Sequence, residues 1–415
     1  MKPTLPVIII GCGPAGAGAS LFLSQAGIPH LILEKDRFPR DKICGDGCSG
    51  KTAFVLGKAD PALLDEIFSD EAHFLPSFGV TFAAPNGKAI DIPFRSKNKQ
   101  ERPPGFTSRR MDFDHFLFSK IQGPQATVIQ DATVTSLDRT PEGYAVTYRT
   151  GEGPETTVHC RLLIGADGDK GICRRKLLQG DAVSKTASVG LRGYYEGVTG
   201  MHPRNFIELH FLREILPGYF WIFPLPGGAA NVGIGMDAVL VRKKKINLRE
   251  VMLLAISENP NIRERFAHAR PSGKIYGWGL PMGVGAVKVS GEHFLITGDA
   301  AALIDPFTGE GIGNALYSGM LAAEAAGKAL QAQRFDDSFL QEHYGDVLFR
   351  RIGDELKLSY TMQKLVRYPW LFNLVVNKAN KSPALRDTMT SMFADLDVRA
   401  LLRRPSFYWK ILTNK

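Results

Sequence analysis

The first residues whose spacing implies chemistry are Gly11-Cys12-Gly13-Pro14-Ala15-Gly16, a G-x-G-x-x-G turn, and Glu34, which comes 23 residues after Gly11. Gly11 permits a tight turn, and Gly13 lets the backbone approach a pyrophosphate. Pro14 and Ala15 open a helix whose free N–H groups carry positive dipole toward that anion. A carboxylate at Glu34 suits the two hydroxyls of a ribose and would repel a 2′-phosphate. Together these residues predict a dinucleotide site. The competing reading, a Gly-rich turn without a ligand, weakens once the flanking segments are considered.

Those segments are the elements that must hold the turn. Leu5-Pro6-Val7-Ile8-Ile9-Ile10 reads as a strand buried on both faces. Ala15 to Gly18 are all small, so the next helix can sit close to the sheet, and Leu21, Phe22 and Leu23 give it an apolar face. Gly27 ends that helix, and His30-Leu31-Ile32-Leu33 forms a second strand that delivers Glu34 at its end. Strand, turn, helix, strand and acid make up a Rossmann-like unit.

NAD- and FAD-binding units look alike at this point, so the rest of the chain must decide between them. After Glu34 come Lys35 and then Phe38-Pro39-Arg40-Asp41-Lys42-Ile43-Cys44-Gly45. Arg110-Met111-Asp112-Phe113-Asp114 begins a helix, and Leu162-Leu163-Ile164-Gly165-Ala166-Asp167-Gly168 ends a strand in a turn. Thr297-Gly298-Asp299-Ala300-Ala301 leads on to Asp305-Pro306-Phe307-Thr308-Gly309-Glu310-Gly311-Ile312-Gly313. In this order the segments resemble the FAD-dependent oxidoreductases with the aromatic-hydroxylase fold. The Phe38–Gly45 stretch and Pro217-Gly218-Tyr219-Phe220-Trp221-Ile222-Phe223-Pro224 resemble, within that group, the geranylgeranyl reductase family. The resemblance spans roughly residues 5–325.

It implies FAD as cofactor, with Asp299 holding a ribityl hydroxyl and the backbone of Gly309, Gly311 and Ile312 facing the flavin ring. Arg110 can pair with phosphate or ribose oxygens. Val134 resembles the position whose backbone meets the adenine. Lys35 stands beside the ribose acid, and Cys44 and Gly45 lie in a loop placed beside the flavin. Asp167 and Gly168 belong either near the pyrophosphate or to a plain strand-end turn. No second G-x-G-x-x-G follows a strand, so the electrons are expected from transiently bound NAD(P)H or from a separate reductase or ferredoxin. No metal site is expected.

Val80–Ala84 and Ala89–Ile92 flank Pro85-Asn86-Gly87-Lys88, a hairpin signal, and further alternating strands run between Ser188 and Met236. They predict a mostly antiparallel sheet interleaved in sequence with the FAD domain, enclosing a cavity. Fold class is therefore α/β with an α+β substrate domain and a C-terminal helical segment. The expected boundaries are 1–75, 101–185 and 276–340 for the FAD domain, 76–100 and 186–275 for the substrate domain, and 341–415 for the helical basic segment.

Tyr219, Trp221 and Phe223 alternate and so share one strand face. Phe223 reads as core, whereas Tyr219 and Trp221 read equally well as core or as cavity lining. The expected reaction is reduction of C=C bonds in a polyprenyl substrate by hydride from reduced flavin, with a proton from Tyr219, Cys44 or water, and aromatic faces steadying positive charge on carbon. The alternative is a flavin monooxygenase or halogenase. Halogenases that resemble the chain carry W-x-W-x-I-P where it has Tyr219-Phe220-Trp221-Ile222-Phe223-Pro224.

With 415 residues, 44% of them hydrophobic, the chain is long enough for two or three domains and a large core. No apolar run reaches bilayer-spanning length, and five cysteines without metal spacing suit a reducing cytoplasm. Of the net +9, nearly all lies between Arg350 and Lys415, where 13 basic residues meet 5 acidic ones. Arg403-Arg404-Pro405-Ser406-Phe407-Tyr408-Trp409-Lys410 mixes cations with aromatics like an interfacial anchor, so peripheral contact with the inner face of a membrane is expected. The other expected partner is a lipophilic small molecule. Nucleic acid is not expected, and a monomer is favoured.

Overall fold

The computed structural model describes residues 4–94, 102–178, 187–284 and 287–382. Its first sheet holds five parallel strands in the spatial order Phe294–Ile296, Glu155–Gly165, Thr4–Ile10, His30–Leu33 and Ala126–Ile129. A hairpin of Ala132–Thr140 and Gly143–Thr150 lies antiparallel along Glu155–Gly165. From Thr4–Ile10 the chain crosses to His30–Leu33 on one side, while the other neighbour arrives much later. That reversal opens a crevice at the carboxyl end of Thr4–Ile10, where open α/β sheets bind their ligands.

Two helices cover this end, Pro14–Gln25 and Ile312–Ala332. They approach closely because their contact is made of small residues: a Cβ on Gly18 would lie 2.7 Å from the Leu316 carbonyl oxygen. The apolar run of the first strand is fully buried at Val7, Ile8 and Ile9, as a strand covered on both faces requires.

The second sheet runs in the order Arg270–Pro271, Ala187–Glu196, Ala229–Asp237, Tyr219–Pro224, Ile207–His210, Gly79–Ala83 and Ala89–Pro93, with Tyr276–Pro281 also paired to Ala187–Glu196. It is antiparallel except for Ile207–His210 beside Gly79–Ala83. Phe220, Ile222, Val232 and Ile234 pack outward against the Leu248–Glu258 helix through Met252 and Ala255. The opposite face carries Val80, Phe82, Leu209, Phe211, Trp221 and Phe223.

Two expectations need correction. The boundary at residue 276 cuts off the Tyr276–Pro281 strand, which belongs to the second sheet by its pairing with Ala187–Glu196. The segment from 341 is not simply a basic tail. Tyr344, Leu348 and Ile352 are buried in the first core, and the helices Asp354–Val366 and Pro369–Lys381 roof the inner face of the second sheet through Val366, Val376 and Ala379. Asn380 Nδ2 donates to the Ala89 carbonyl at 2.9 Å, and Gln363 Nε2 to the Pro306 carbonyl at 2.7 Å. The anchor-like stretch at 403–410 lies outside the described residues.

Candidate active site

A cavity of about 1480 Å³ runs from the first βαβ unit to the inner face of the second sheet. At its first end Gly11 has φ +95°, and a Cβ there would stand 2.5 Å from the Ala166 carbonyl oxygen, so glycine is required twice over. Gly13 caps the Pro14–Gln25 helix without any side-chain hydrogen bond, which leaves the first-turn N–H groups free. Pro14 and Ala15 line the cavity beside it. Gly16 does not; it lies behind the turn, where a Cβ would press on the Gly11 backbone and Ile9, so its role is to seat the helix.

Glu34 is 3% exposed and accepts from the backbone N–H of Cys12 at 2.6 Å and of Asp36 at 3.0 Å. These two bonds aim its carboxylate at the crevice. Exposed Lys35 and half-buried Val134 border the same end.

Arg110 differs from expectation. Its Nε and Nη2 both bond Asp114 at 2.6 Å, and Arg40 reaches the same carboxylate at 2.8 Å. Burial pushes the Asp114 carboxyl up, but the Arg110 charge and hydrogen bonds, with Arg40 behind them, outweigh it and hold the group below its usual range. Most of the guanidinium is thus committed to Asp114, with one edge left for the cavity it lines. Asp167 spends one oxygen on the Cys173 N–H at 2.9 Å, at the start of the Ile172–Leu177 helix. Its other oxygen is buried without a hydrogen-bond partner, and Asp167 and Gly168 both line the cavity.

In the middle of the cavity Asp299 meets Lys42 Nζ at 3.0 Å. Gly311 is the N-cap of the Ile312–Ala332 helix, whose first turn lines the cavity and gives its Gly313 N–H to Glu310 at 2.6 Å. Gly309 has φ +74°, and a Cβ there would stand 2.7 Å from the Tyr219 hydroxyl. A helix N-terminus at Gly13, a buried acid at the end of the second strand and a glycine cradle at Gly309 and Gly311 fit FAD. Gly11, Gly13, Glu34 and Val134 would hold its adenosine diphosphate part, and Asp299, Gly309, Gly311 and Ile312 its flavin part.

The three residues singled out for chemistry also border this cavity. Tyr219 donates its hydroxyl to the Thr308 carbonyl at 2.7 Å, tying the second sheet to the Gly309 loop. Trp221 donates from Nε1 to Asn231 Oδ1 at 2.8 Å, and its ring lies over Gly233, where a side chain would collide with it. Cys44 stands in the facing loop. Burial pushes the Tyr219 hydroxyl and the Cys44 thiol up, so both release protons reluctantly.

A network of four further residues, not singled out from sequence, stands behind Cys44 and Trp221. Asn231 is fully buried, and its Nδ2 donates to the Cys44 carbonyl and to Asp46 Oδ2, both at 2.8 Å. Tyr194 donates to the same Asp46 oxygen at 2.8 Å, and the Arg192 guanidinium lies 4.2 Å over the Tyr194 ring while pairing with Asp41. An Asn inside a strand and an acid between two glycines, Gly45-Asp46-Gly47, were the available signals. The basic run Arg242-Lys243-Lys244-Lys245, whose charge would suit a diphosphate, ends the Ala238–Lys244 helix and does not line the cavity.

Comparison with known proteins agrees with this geometry. Residues 4–191 match the model of an FAD binding domain. The chain is 26% identical over 407 residues to digeranylgeranylglycerophospholipid reductase of Methanococcus vannielii, covering 97% of this chain and 94% of the relative. It is 29% identical over 344 residues to menaquinone reductase of Mycobacterium tuberculosis, covering 82% and 80%. Among solved structures, a geranylgeranyl bacteriochlorophyll reductase-like protein from Thermoplasma acidophilum has a TM-score of 0.78 at 20% identity, with 97% and 99% coverage. A flavin-dependent brominase has a TM-score of 0.74 at 21% identity, with 98% and 99% coverage. The cofactor cradle and these likenesses together mark the chain as an FAD-dependent oxidoreductase that is similar to the digeranylgeranylglycerophospholipid and menaquinone reductases.

Proposed function

We propose that the chain saturates isolated C=C bonds of a polyprenyl substrate. One observation carries the reading: the cavity lined by the cofactor residues is also walled by apolar Val80, Phe82, Leu209, Phe307, Leu358 and Met362, and Tyr219 and Trp221, which pack in the same apolar cluster, touch the Gly309 and Gly45 loops. Bound FAD, when reduced, supplies the hydride. The chain's own residues exclude water along this apolar wall, hold the alkene beside Tyr219 and Trp221, and turn aromatic faces toward carbon that gains positive character. The digeranylgeranylglycerophospholipid and menaquinone reductases among the relatives support a long prenyl chain as the ligand. Electrons are expected from NAD(P)H or a partner reductase.

The test is anaerobic turnover of the purified yellow protein with geranylgeranyl compounds, read by mass spectrometry for a gain of two mass units per bond. Saturated product without oxygen is the expected result. Product that appears only with oxygen would favour the monooxygenase or halogenase reading, which the brominase fold supports.

The same reading includes peripheral membrane contact. No helix among the described residues is long and apolar enough to cross a membrane. Tyr368 and Trp370 are 58% and 65% exposed where the two roof helices meet, close to cationic Lys364 and Arg367. Unchanged sedimentation with anionic liposomes after removal of residues 399–415 and replacement of Trp370 by Ser would end this part of the proposal.

A further inference from the structure

Saturating a C=C bond consumes one proton for each hydride, and the cavity must contain a group that holds it. Tyr219 already donates to Thr308 and is made a weaker acid by burial. Cys44 is shifted the same way. Asp305 takes the N–H groups of Phe307 and Thr308 and the Thr308 hydroxyl on one oxygen, which fixes the loop. Glu310 accepts from the Gly313 N–H at 2.6 Å at the start of the long helix. Each of these has structural work of its own.

Asp46 does not fit that pattern. It lines the cavity between Gly45 and Gly47, yet its side chain is inaccessible to solvent. Oδ2 receives two hydrogen bonds, from Asn231 Nδ2 and the Tyr194 hydroxyl, whereas Oδ1 has no hydrogen-bond partner. A buried carboxylate with one bare oxygen is costly; a neutral carboxylic acid with its proton on that oxygen costs less. Nearby positive charge moderates the cost from two sides, Arg192 on the second sheet and Arg110 on its helix, while the Cys44 thiol in the same loop is pushed up in its turn by Asp46. Burial leads, and pushes the group up to about 6 against the pull of Asn231 and Tyr194.

We propose that Asp46 is the proton donor of the reaction. The proposal rests on the C=C reduction argued above. In the step the Oδ1–H bond of Asp46 breaks and a C–H bond forms at one alkene carbon, while the hydride from the reduced cofactor forms the other. The π pair of the alkene binds the proton, and the hydride pair completes the second bond. Asp46 is left as a carboxylate, held by the Asn231 and Tyr194 hydrogen bonds and by the Arg192 charge, and is reprotonated after the product leaves the cavity. Asn231 is a positioning residue in this scheme, because the same amide orients Asp46, Trp221 and the Cys44 carbonyl.

The test uses chemically reduced holoenzyme and a geranylgeranyl compound under anaerobic conditions. Asp46→Asn is expected to keep FAD and the substrate KM while slowing saturation by about a hundredfold or more, the usual share of a general acid. The wild-type rate is expected to fall above about pH 6, where the donor loses its proton. Tyr194→Phe removes a hydrogen bond to the carboxylate and should move that limb to higher pH. Infrared spectroscopy at pH 5 should show a buried carboxylic-acid band that Asp46→Asn abolishes, with or without turnover. An Asp46→Asn enzyme as fast as wild type, a limb unmoved by Tyr194→Phe, or an absent band would overturn the proposal. Should Asp46→Asn fail to fold, the Tyr194→Phe limb decides. Should wild type saturate no prenyl bond, the C=C reading fails, and the band still reports whether Asp46 holds a proton.

Discussion

At its cofactor end the cavity is shaped by backbone, and at its substrate end by side chains from distant segments. Gly11, Gly13, Gly309 and Gly311 act by lacking a side chain or by capping a helix. Val80, Leu209, Trp221, Phe307 and Met362 act by what their side chains fill. Gly11 and Gly309 resist substitution most, because both have positive φ and a Cβ would press on the Ala166 carbonyl oxygen at one and on the Tyr219 hydroxyl at the other. An apolar wall tolerates changes of similar volume and answers them with altered ligand fit. The difference explains how one cofactor cradle can serve proteins whose substrates differ.

Substitutions on either side sharpen this contrast. The largest effect is expected from Arg110→Met at the cofactor end, which removes the main partner of fully buried Asp114. Breaking a buried pair of this kind costs about 3–5 kcal/mol, readable by denaturant unfolding. Because Asp114 in the wild type is held below its ordinary range, the stability it contributes is present above the ordinary carboxylate pKa and is lost as pH falls through the lowered value. In Arg110→Met that loss should begin at higher pH.

Asp46 is expected to behave in the opposite sense. Its folded value of about 6 exceeds the ordinary 3.8, so its contribution is complete below pH 3.8 and lost as pH rises through 6, a change of about 3 kcal/mol. Asp46→Asn should flatten the dependence of Tm on pH across that window. A slope that persists would show that another group titrates there.

Gly11→Ala comes next, at about 2 kcal/mol for an alanine at φ +95° pressed on Ala166. The visible sign should be a protein purified without its yellow colour. Tyr219→Phe, at the junction of the two ends, should cost only about 1 kcal/mol for the lost bond to Thr308. Its saturation rate should stay within a few-fold of wild type, whereas a large drop would make Tyr219 the proton source.

The same contrast governs what could be read from sequence. A strand followed by G-x-G-x-x-G and an acid after the next strand is local, so Gly11, Gly13 and Glu34 were legible from about thirty residues. The alternation of Tyr219, Trp221 and Phe223 gave the inward face of their strand, because a two-residue period is local as well. Asp46, Asn231 and Tyr194 were not legible, since their meeting depends on pairings between segments up to 185 residues apart. Arg110 was recognised by its motif, but not the buried Asp114 one helical turn away that engages it. The roof over the substrate end of the cavity was read only as a helical basic segment, without its packing role, because Val366, Val376 and Ala379 are few among the cations that surround them.

That roof fixes an order of assembly. During synthesis every strand of both sheets leaves the ribosome before Asp354–Val366 and Pro369–Lys381 do. Until those helices arrive, Val80, Phe82, Leu209 and Phe211 lack part of their cover against water. A nascent chain at that stage carries a complete nucleotide cradle and a greasy open trough, the kind of surface that chaperones hold until the last turns dock.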